Sequence, residues 1–131
     1  MKVGIYRRIS TEMQHEDGCS LQIQSEQLGS FIKEQGWTIV EDYADDGYSA
    51  ENMDRPALNK LIEDIKQQKI DVVLVYRLDR LVRSASDLND LLEIMDKHNV
   101  KFKSYKESVD TMSNAGKMHL TLLAAAALSE N

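Results

Sequence analysis

Arg8 and Ser10 are two residues apart, so on an extended segment their side chains project to the same side. A hydroxyl beside a guanidinium suits a phosphate substrate, because arginine presents a rigid fork of donors that matches phosphate oxygens. The pair also reads as a serine that ends a strand and an arginine on a solvated face. A second group is Arg77-Leu78-Asp79-Arg80-Leu81-Val82-Arg83-Ser84, with three arginines within seven residues. Arg80 and Arg83 are three apart, a spacing that sets side chains together on a helical turn. Cations are disfavoured at the start of a helix, so arginines held there make better sense with an anion among them. The plainer reading of the same residues is a solvated helix start.

A third group runs from Asp45 to Pro56 and reads as a loop after a strand. Asp45 and Asp46 could hold a cation, but no His or Cys accompanies them; a structural turn, with Arg55 able to reach an anion, fits better. Other chemistries find no footing. There is no dinucleotide-binding G-x-G-x-x-G, no phosphate-loop G-x-x-x-x-G-K-[ST] and no G-x-S-x-G elbow. His15, His98 and His119 are scattered without metal-ligand spacing, and Cys19 has no partner of its own kind. The expectation is therefore no metal and no cofactor. A serine hydroxyl among arginines, without a base of the usual type, is poor equipment for acyl transfer and suits attack on a phosphodiester, where charge builds on the phosphorus oxygens.

The elements that must position these groups follow from periodicity. Residues 2–9 read as a strand, with Val3 and Ile5 alternating with polar neighbours and Ser10-Thr11 ending it. Residues 10–19 read as a loop. Ser20 is a candidate cap for a helix over about 21–35, with Leu21, Leu28, Phe31 and Ile32 on its apolar side and Gly36 as its C-cap. Residues 37–44 read as a second strand and 45–54 as turn-rich chain. Pro56 opens a helix carrying Ala57, Leu58, Leu61, Ile62 and Ile65. Residues 71–76, DVVLVY, form the near-continuous apolar run of a strand buried on both faces. Ser84 or Ser86 caps the next helix, with Leu88, Leu91, Leu92 and Met95 on one side. Residues 100–105 are a short strand, 107–115 a polar loop, and from about Gly116 a last helix runs to the end.

The order is β-α-β-α-β-α-β-α, which implies an α/β fold with a mostly parallel sheet and helices on both faces. Sites in such folds lie at the carboxyl ends of strands. That rule brings Arg7, Arg8 and Ser10 to the same edge as Arg77, Asp79, Arg80 and Arg83.

With 131 residues the chain suits one compact domain. No apolar run approaches the ~20 residues that span a bilayer, so no membrane role is expected. A single cysteine excludes a disulfide framework and points to a reducing, cytoplasmic setting. The formal net charge of −6 argues against a dedicated nucleic-acid binder, unless the cations cluster at one place and another region supplies most DNA affinity.

At the groups above the chain resembles the serine recombinases: the resolvases, invertases and phage-type integrases. Tyr6-x-Arg8-x-Ser10-Thr11, with Gln14 following, is similar to that family's nucleophile motif. Ser20-Leu21-Gln22-Ile23-Gln24 is similar to its next motif, which ends in an active-site Gln. Asp45, Ser49 and Asp54-Arg55-Pro56 resemble its loop residues. Leu78-Asp79-Arg80-Leu81-x-Arg83-Ser84 is similar to its most distinctive signature. Gly116 through Glu130 resembles the start of its long dimerisation helix. Two positions depart from the pattern, Arg7 and Ile9, and the chain is expected to end inside that helix without the family's DNA-binding region.

The resemblance implies that Ser10 attacks a DNA backbone phosphate and becomes joined to the 5′ end, releasing a 3′ hydroxyl. Arg8, Arg80 and Arg83 would hold the phosphate, and Asp79 would orient Arg80 or a neighbour. Gln24, Asp45, Ser49 and Arg55 would order the loop, and Tyr6 would pack beside the nucleophile. It implies religation without ATP or metal, double-stranded DNA sites as partner, and self-association as a dimer and, in the active complex, a tetramer. The setting would be a bacterium or phage, in mobile-element integration or excision. The Asp-x-Gly-Tyr-Ser loop and the Asp-Arg-Pro run are slightly closer to the large phage-type integrases than to the small resolvases. The alternative from another class is a non-catalytic receiver-like or nucleotide-binding α/β module, which explains the layer order but leaves the arginines as coincidence.

Overall fold

The computed structural model of the chain describes residues 1–9, 21–46 and 54–128. Five strands form one sheet: β1 (Lys2–Ile9), β2 (Thr38–Asp46), β3 (Val72–Val75), β4 (Lys101–Ser104) and β5 (Val109–Asp110). Their spatial order is β2-β1-β3-β4-β5. The first three pairings are parallel and the β4–β5 pairing is antiparallel. The helices are α1 (Leu21–Gln35), α2 (Pro56–Lys66), α3 (Leu78–Leu81), α4 (Ala85–Lys97) and α5 (Asn114–Ala127). The mostly parallel α/β sheet with helices on both faces is the expected fold class.

Period-two alternation divides the core. Val3, Ile5, Val72 and Leu74 pack with Leu28 and Ile32 of α1 on one face. Tyr6, Val73, Val75 and Phe102 pack on the other with α2, α4 and α5, through Leu58, Leu61, Leu88, Met95 and Leu120. All four residues of β3 are buried, as its apolar run requires. Gly36 closes α1 with φ +72°, and Ser84 rather than Ser86 caps α4, accepting from the Asp87 N–H at 3.1 Å. The second strand runs to Asp46, two residues into what the sequence presents as turn, because β2 pairs with β1 along its length up to Ile9.

Three expectations need correction. The segment 107–115 is not all loop: β5 forms within it, and Thr111 exchanges hydrogen bonds with the Phe102 backbone through both its own N–H and its hydroxyl. The last helix begins at Asn114, not Gly116, because Ser113 caps it by accepting from the Gly116 N–H at 3.0 Å. Gly116 has a different task there. A Cβ at that position would lie 2.7 Å from the Asp110 carbonyl oxygen, so only glycine lets α5 start hard against β5. Finally, Arg80 and Arg83 do not share a helical turn. The one-turn helix α3 ends at Leu81 and the next residue, Val82, has an extended backbone; Arg80 is buried and Arg83 is exposed.

Candidate active site

The carboxyl edge of the sheet gathers Arg8 and Tyr6 from β1, Asp45 from β2, Arg55 from the start of α2, and Asp79 and Arg80 from α3. Tyr6 and Arg8 lie two apart on β1 and face the α2 side of the sheet. Arg7, between them, turns the other way and makes a two-pronged ion pair with Asp42, at 2.8 and 2.9 Å. The departure at position 7 is thus outside the cluster.

Asp45 is 2% exposed and its two oxygens are used inside the protein. Oδ1 accepts from the Ala57 N–H at 2.9 Å, and Oδ2 accepts from the Leu58 N–H at 3.1 Å and from the Tyr6 hydroxyl at 2.8 Å. Arg55 sits at the N-cap position of α2 without capping it, so Asp45 does that work from a neighbouring strand. An aspartate so engaged answers the suggestion of a cation site at Asp45-Asp46 with a different role. Among the described residues, no three His, Cys, Asp or Glu side chains gather where they could hold a metal ion.

Arg55 is fully buried and points the opposite way, into the site. It donates to the Tyr6 hydroxyl at 3.0 Å and to the Leu81 carbonyl at 2.5 Å, with its guanidinium carbon 5.6 Å from the Tyr6 ring centre. Arg8 donates to the carbonyls of Arg80 at 2.8 Å and Asp79 at 2.7 Å. Three successive carbonyls at the end of α3 are therefore held by two guanidiniums, which is where cations belong on a helix. Arg80 is 2% exposed, and its Nη1 lies 3.6 Å from Asp79 Oδ1. Asp79 also pairs with Arg77 at 3.4 Å.

Crowding of cations shows in the acid-base properties. Burial, then the Arg55 charge, and after the offset from Tyr6 the Arg80 charge, pull the Arg8 guanidinium down from its ordinary value to about 10, still fully protonated at neutral pH. Burial also drives the Tyr6 phenol well above its ordinary range, with Asp45 adding to the rise against the pull of Arg55. Tyr6 is thus a hydrogen-bond relay between Asp45 and Arg55 rather than an ionising group.

Of the residues singled out from the sequence, the structure brings together Tyr6, Arg8, Asp45, Arg55, Asp79 and Arg80. Arg83 stands exposed beyond α3. Gln24 is the fourth residue of α1. Ser10, Gln14 and Ser49 lie outside the described residues; β1 ends at Ile9, one position before Ser10. Sequence reasoning missed the carbonyls of Asp79, Arg80 and Leu81, which no side-chain pattern reports. It also missed Glu107, whose Oε2 accepts from the Leu78 N–H at 3.2 Å. The Ser104-x-x-Glu107 spacing at a strand end was the available signal.

Residues 3–131 match the family model for the resolvase N-terminal domain. A probable DNA-invertase of Sinorhizobium fredii is 34% identical over 125 residues, covering 95% of this chain and 36% of that protein. The transposon Tn552 resolvase of Staphylococcus aureus is 32% identical over 127 residues, covering 95% of this chain and 57% of that protein. The chain thus spans well under two thirds of these curated relatives. Among solved structures, the N-terminal catalytic domain of TP901-1 integrase is similar with a TM-score of 0.84 and 40% identity, covering 94% of this chain and 91% of that one. A resolvase family site-specific recombinase from Streptococcus pneumoniae is similar with a TM-score of 0.78 and 32% identity, covering 95% of this chain and 85% of that one.

Proposed function

This chain belongs to the resolvase family, and on that premise we propose that it is the catalytic domain of a serine site-specific recombinase. Ser10 attacks a DNA backbone phosphate: its Oγ–P bond forms, the P–O3′ bond breaks, the serine proton is lost and the 3′ oxygen gains one. Reversal by a 3′ hydroxyl rejoins the strand, so the phosphoserine conserves the bond without ATP. The observation that carries the reading is the gathering of Arg8, Arg55 and Arg80, each no more than 2% exposed, at the edge where β1 leads into Ser10. Such a charge group stabilises the trigonal-bipyramidal phosphate as negative charge grows on its oxygens. Arg8 and Arg55 work in part by holding the turn that presents Arg80, and Asp79 orients Arg80. Arg83, exposed, supplies a further contact to the phosphate, and Gln14, Gln24 and Ser49 complete the surroundings.

The partner is double-stranded DNA at a recombination site of a phage or mobile element, acted on in the cytoplasm. The net charge of −6 supports a division of labour in which a region beyond these residues supplies most of the duplex affinity. Self-association, as a dimer and as a tetramer in the active complex, uses α5, where Met118 and Leu122 are 68% and 66% exposed at a spacing of four. No helix among the described residues is long and apolar enough to cross a membrane.

The test uses the full-length protein and its DNA site under conditions that trap cleaved complexes. Wild type gives a covalent protein–DNA band on a denaturing gel that maps to Ser10, and Ser10→Ala gives none. A band that persists in Ser10→Ala, or cleavage without any adduct, overturns Ser10 as the nucleophile, and neither cleavage nor adduct from wild type favours a non-catalytic α/β module.

A further inference from the structure

We infer that Glu107 is a positioning residue for the arginine-bearing turn α3; its catalytic consequence rests on the recombinase reading above. Helix α3 has four residues, and a single turn has no stability of its own, because nucleation fixes several residues for one hydrogen bond. Its ends are closed by backbone bonds from Arg80 N–H to the Arg77 carbonyl at 3.0 Å and from Val82 N–H to the Leu78 carbonyl at 3.1 Å. The turn must therefore be held from outside.

Its carbonyl end is held by Arg8 and Arg55. Its amino end lacks a local cap, since Arg77 occupies the N-cap position without a side-chain cap bond. Glu107 fills that place from the β4–β5 turn, accepting from the Leu78 N–H at 3.2 Å. The second carboxylate oxygen is fixed by the Ser104 hydroxyl at 2.5 Å, and Ser104 is fully buried at the end of β4. The β4–β5 turn is itself tied to the end of β3, by Tyr105 N–H to the Val75 carbonyl and Lys106 N–H to the Tyr76 carbonyl, both 2.9 Å. An anion at the amino end and two cations at the carbonyl end form the arrangement a helix dipole favours. Glu107 thus fixes α3 against the sheet and with it the places of Asp79 and Arg80. A carboxylate on a backbone N–H is among the stronger hydrogen bonds, so its loss is felt locally.

The experiment compares wild type with Glu107→Ala, Glu107→Gln and Ser104→Ala in two readouts. Amide hydrogen exchange of the intact chain reads the turn directly. Glu107→Ala speeds exchange at Arg80 and Val82 by about tenfold or more, the equivalent of one charge-assisted bond. Exchange at Val73 and Leu74 of β3 stays unchanged. Glu107→Gln, which keeps one acceptor and the side-chain volume, restores part of the protection, and Ser104→Ala gives a smaller rise. In the full-length protein at saturating DNA, Glu107→Ala lowers the rate of Ser10 adduct formation by about tenfold at unchanged DNA affinity. Unchanged protection at Arg80 and Val82, or an equal rise in β3, overturns the clamp. A changed turn with an unchanged adduct rate overturns the positioning role. Failure of wild type to form any adduct counts against the recombinase reading, and the exchange data then decide the clamp by themselves.

Discussion

Tyr6 and Tyr43 are register partners on β1 and β2, and each donates its hydroxyl to a buried aspartate, Tyr6 to Asp45 at 2.8 Å and Tyr43 to Asp64 at 2.6 Å. Burial drives both phenols above their ordinary range, with the aspartate adding to the rise. The two pairs differ in what balances the carboxylate. Asp64 faces Lys60 at 3.3 Å and Lys69 at 3.8 Å, with lysine side chains 57% and 59% exposed. Asp45 faces backbone amides and, through Tyr6, the fully buried Arg55, whose charge and that of Arg80 both act on the buried Arg8. Lysine ammonium groups left in water are already solvated. Guanidiniums taken out of water and set near one another favour negative charge beside them. The same tyrosine–aspartate unit is a strut in one place and, in the function proposed above, the support of a phosphate site in the other.

The largest break in that comparison is at Arg55. Arg55→Ala leaves the Tyr6 hydroxyl and the Leu81 carbonyl without their donor and costs about 3–5 kcal/mol of unfolding free energy. Arg55→Lys recovers little, because one ammonium cannot span both acceptors as the fork does. Urea denaturation of the three proteins measures this, and a loss below about 1 kcal/mol for Arg55→Ala would show that the cluster is not held through Arg55. Tyr6→Phe comes next. It removes one donor from Asp45 and one acceptor from Arg55, costs about 1–3 kcal/mol, and slows adduct formation at Ser10. Tyr43→Phe costs about 1 kcal/mol and leaves adduct formation unchanged, because Asp64 keeps both lysines. Equal effects of the two substitutions on the adduct rate would dissolve the distinction.

How much of this was legible beforehand depends on what kind of signal each part leaves. Residues 72–75 announce a buried strand through apolar, β-branched character, and Pro56, Gly36 and Ser84 mark helix ends by local chemistry that needs no tertiary partner. The gathering of Arg8, Asp79 and Arg80 follows from one topological rule about strand ends, and Arg55 joins them from the segment after the second strand. The rule does not say which side chains reach which atoms. That Arg8 and Arg55 grip the carbonyls of residues 79–81 depends on a one-turn helix whose existence no periodicity can report, four residues making barely one turn and giving the pattern no second turn in which to recur. Strand β5 is hidden for the same reason: two residues, flanked by Glu107, Ser108 and Thr111, carry no alternation. Gly116 reads as a helix boundary by type, yet its constraint is the Asp110 carbonyl pressed against it, a contact that only the folded chain creates.

The smallest effect sharpens the strut side of the comparison. Burial pushes the Asp64 carboxyl up, but the Tyr43 hydroxyl, the Lys60 hydrogen bond and the charges of Lys60 and Lys69 outweigh it, so the carboxyl lies below its ordinary 3.8. A carboxyl whose folded pKa lies below its unfolded value stabilises the fold while ionised. That contribution is complete above the unfolded value and is lost as pH falls through the lower, folded one. The stability gap between wild type and Asp64→Asn should therefore be constant from about pH 7 to pH 5 and close progressively below about pH 4. Because the two lysines are more than half exposed, screening discounts the gap, and high salt narrows its ionic part further. Urea midpoints for both proteins along a pH series give the measurement. A gap that stays fixed to pH 2, or widens on acidification, would mean that burial matches or outweighs Tyr43 and the lysines, so that the ionised carboxylate is not what stabilises β2 and α2. Its lysines would then be onlookers, and the contrast with the buried arginines would be sharper still.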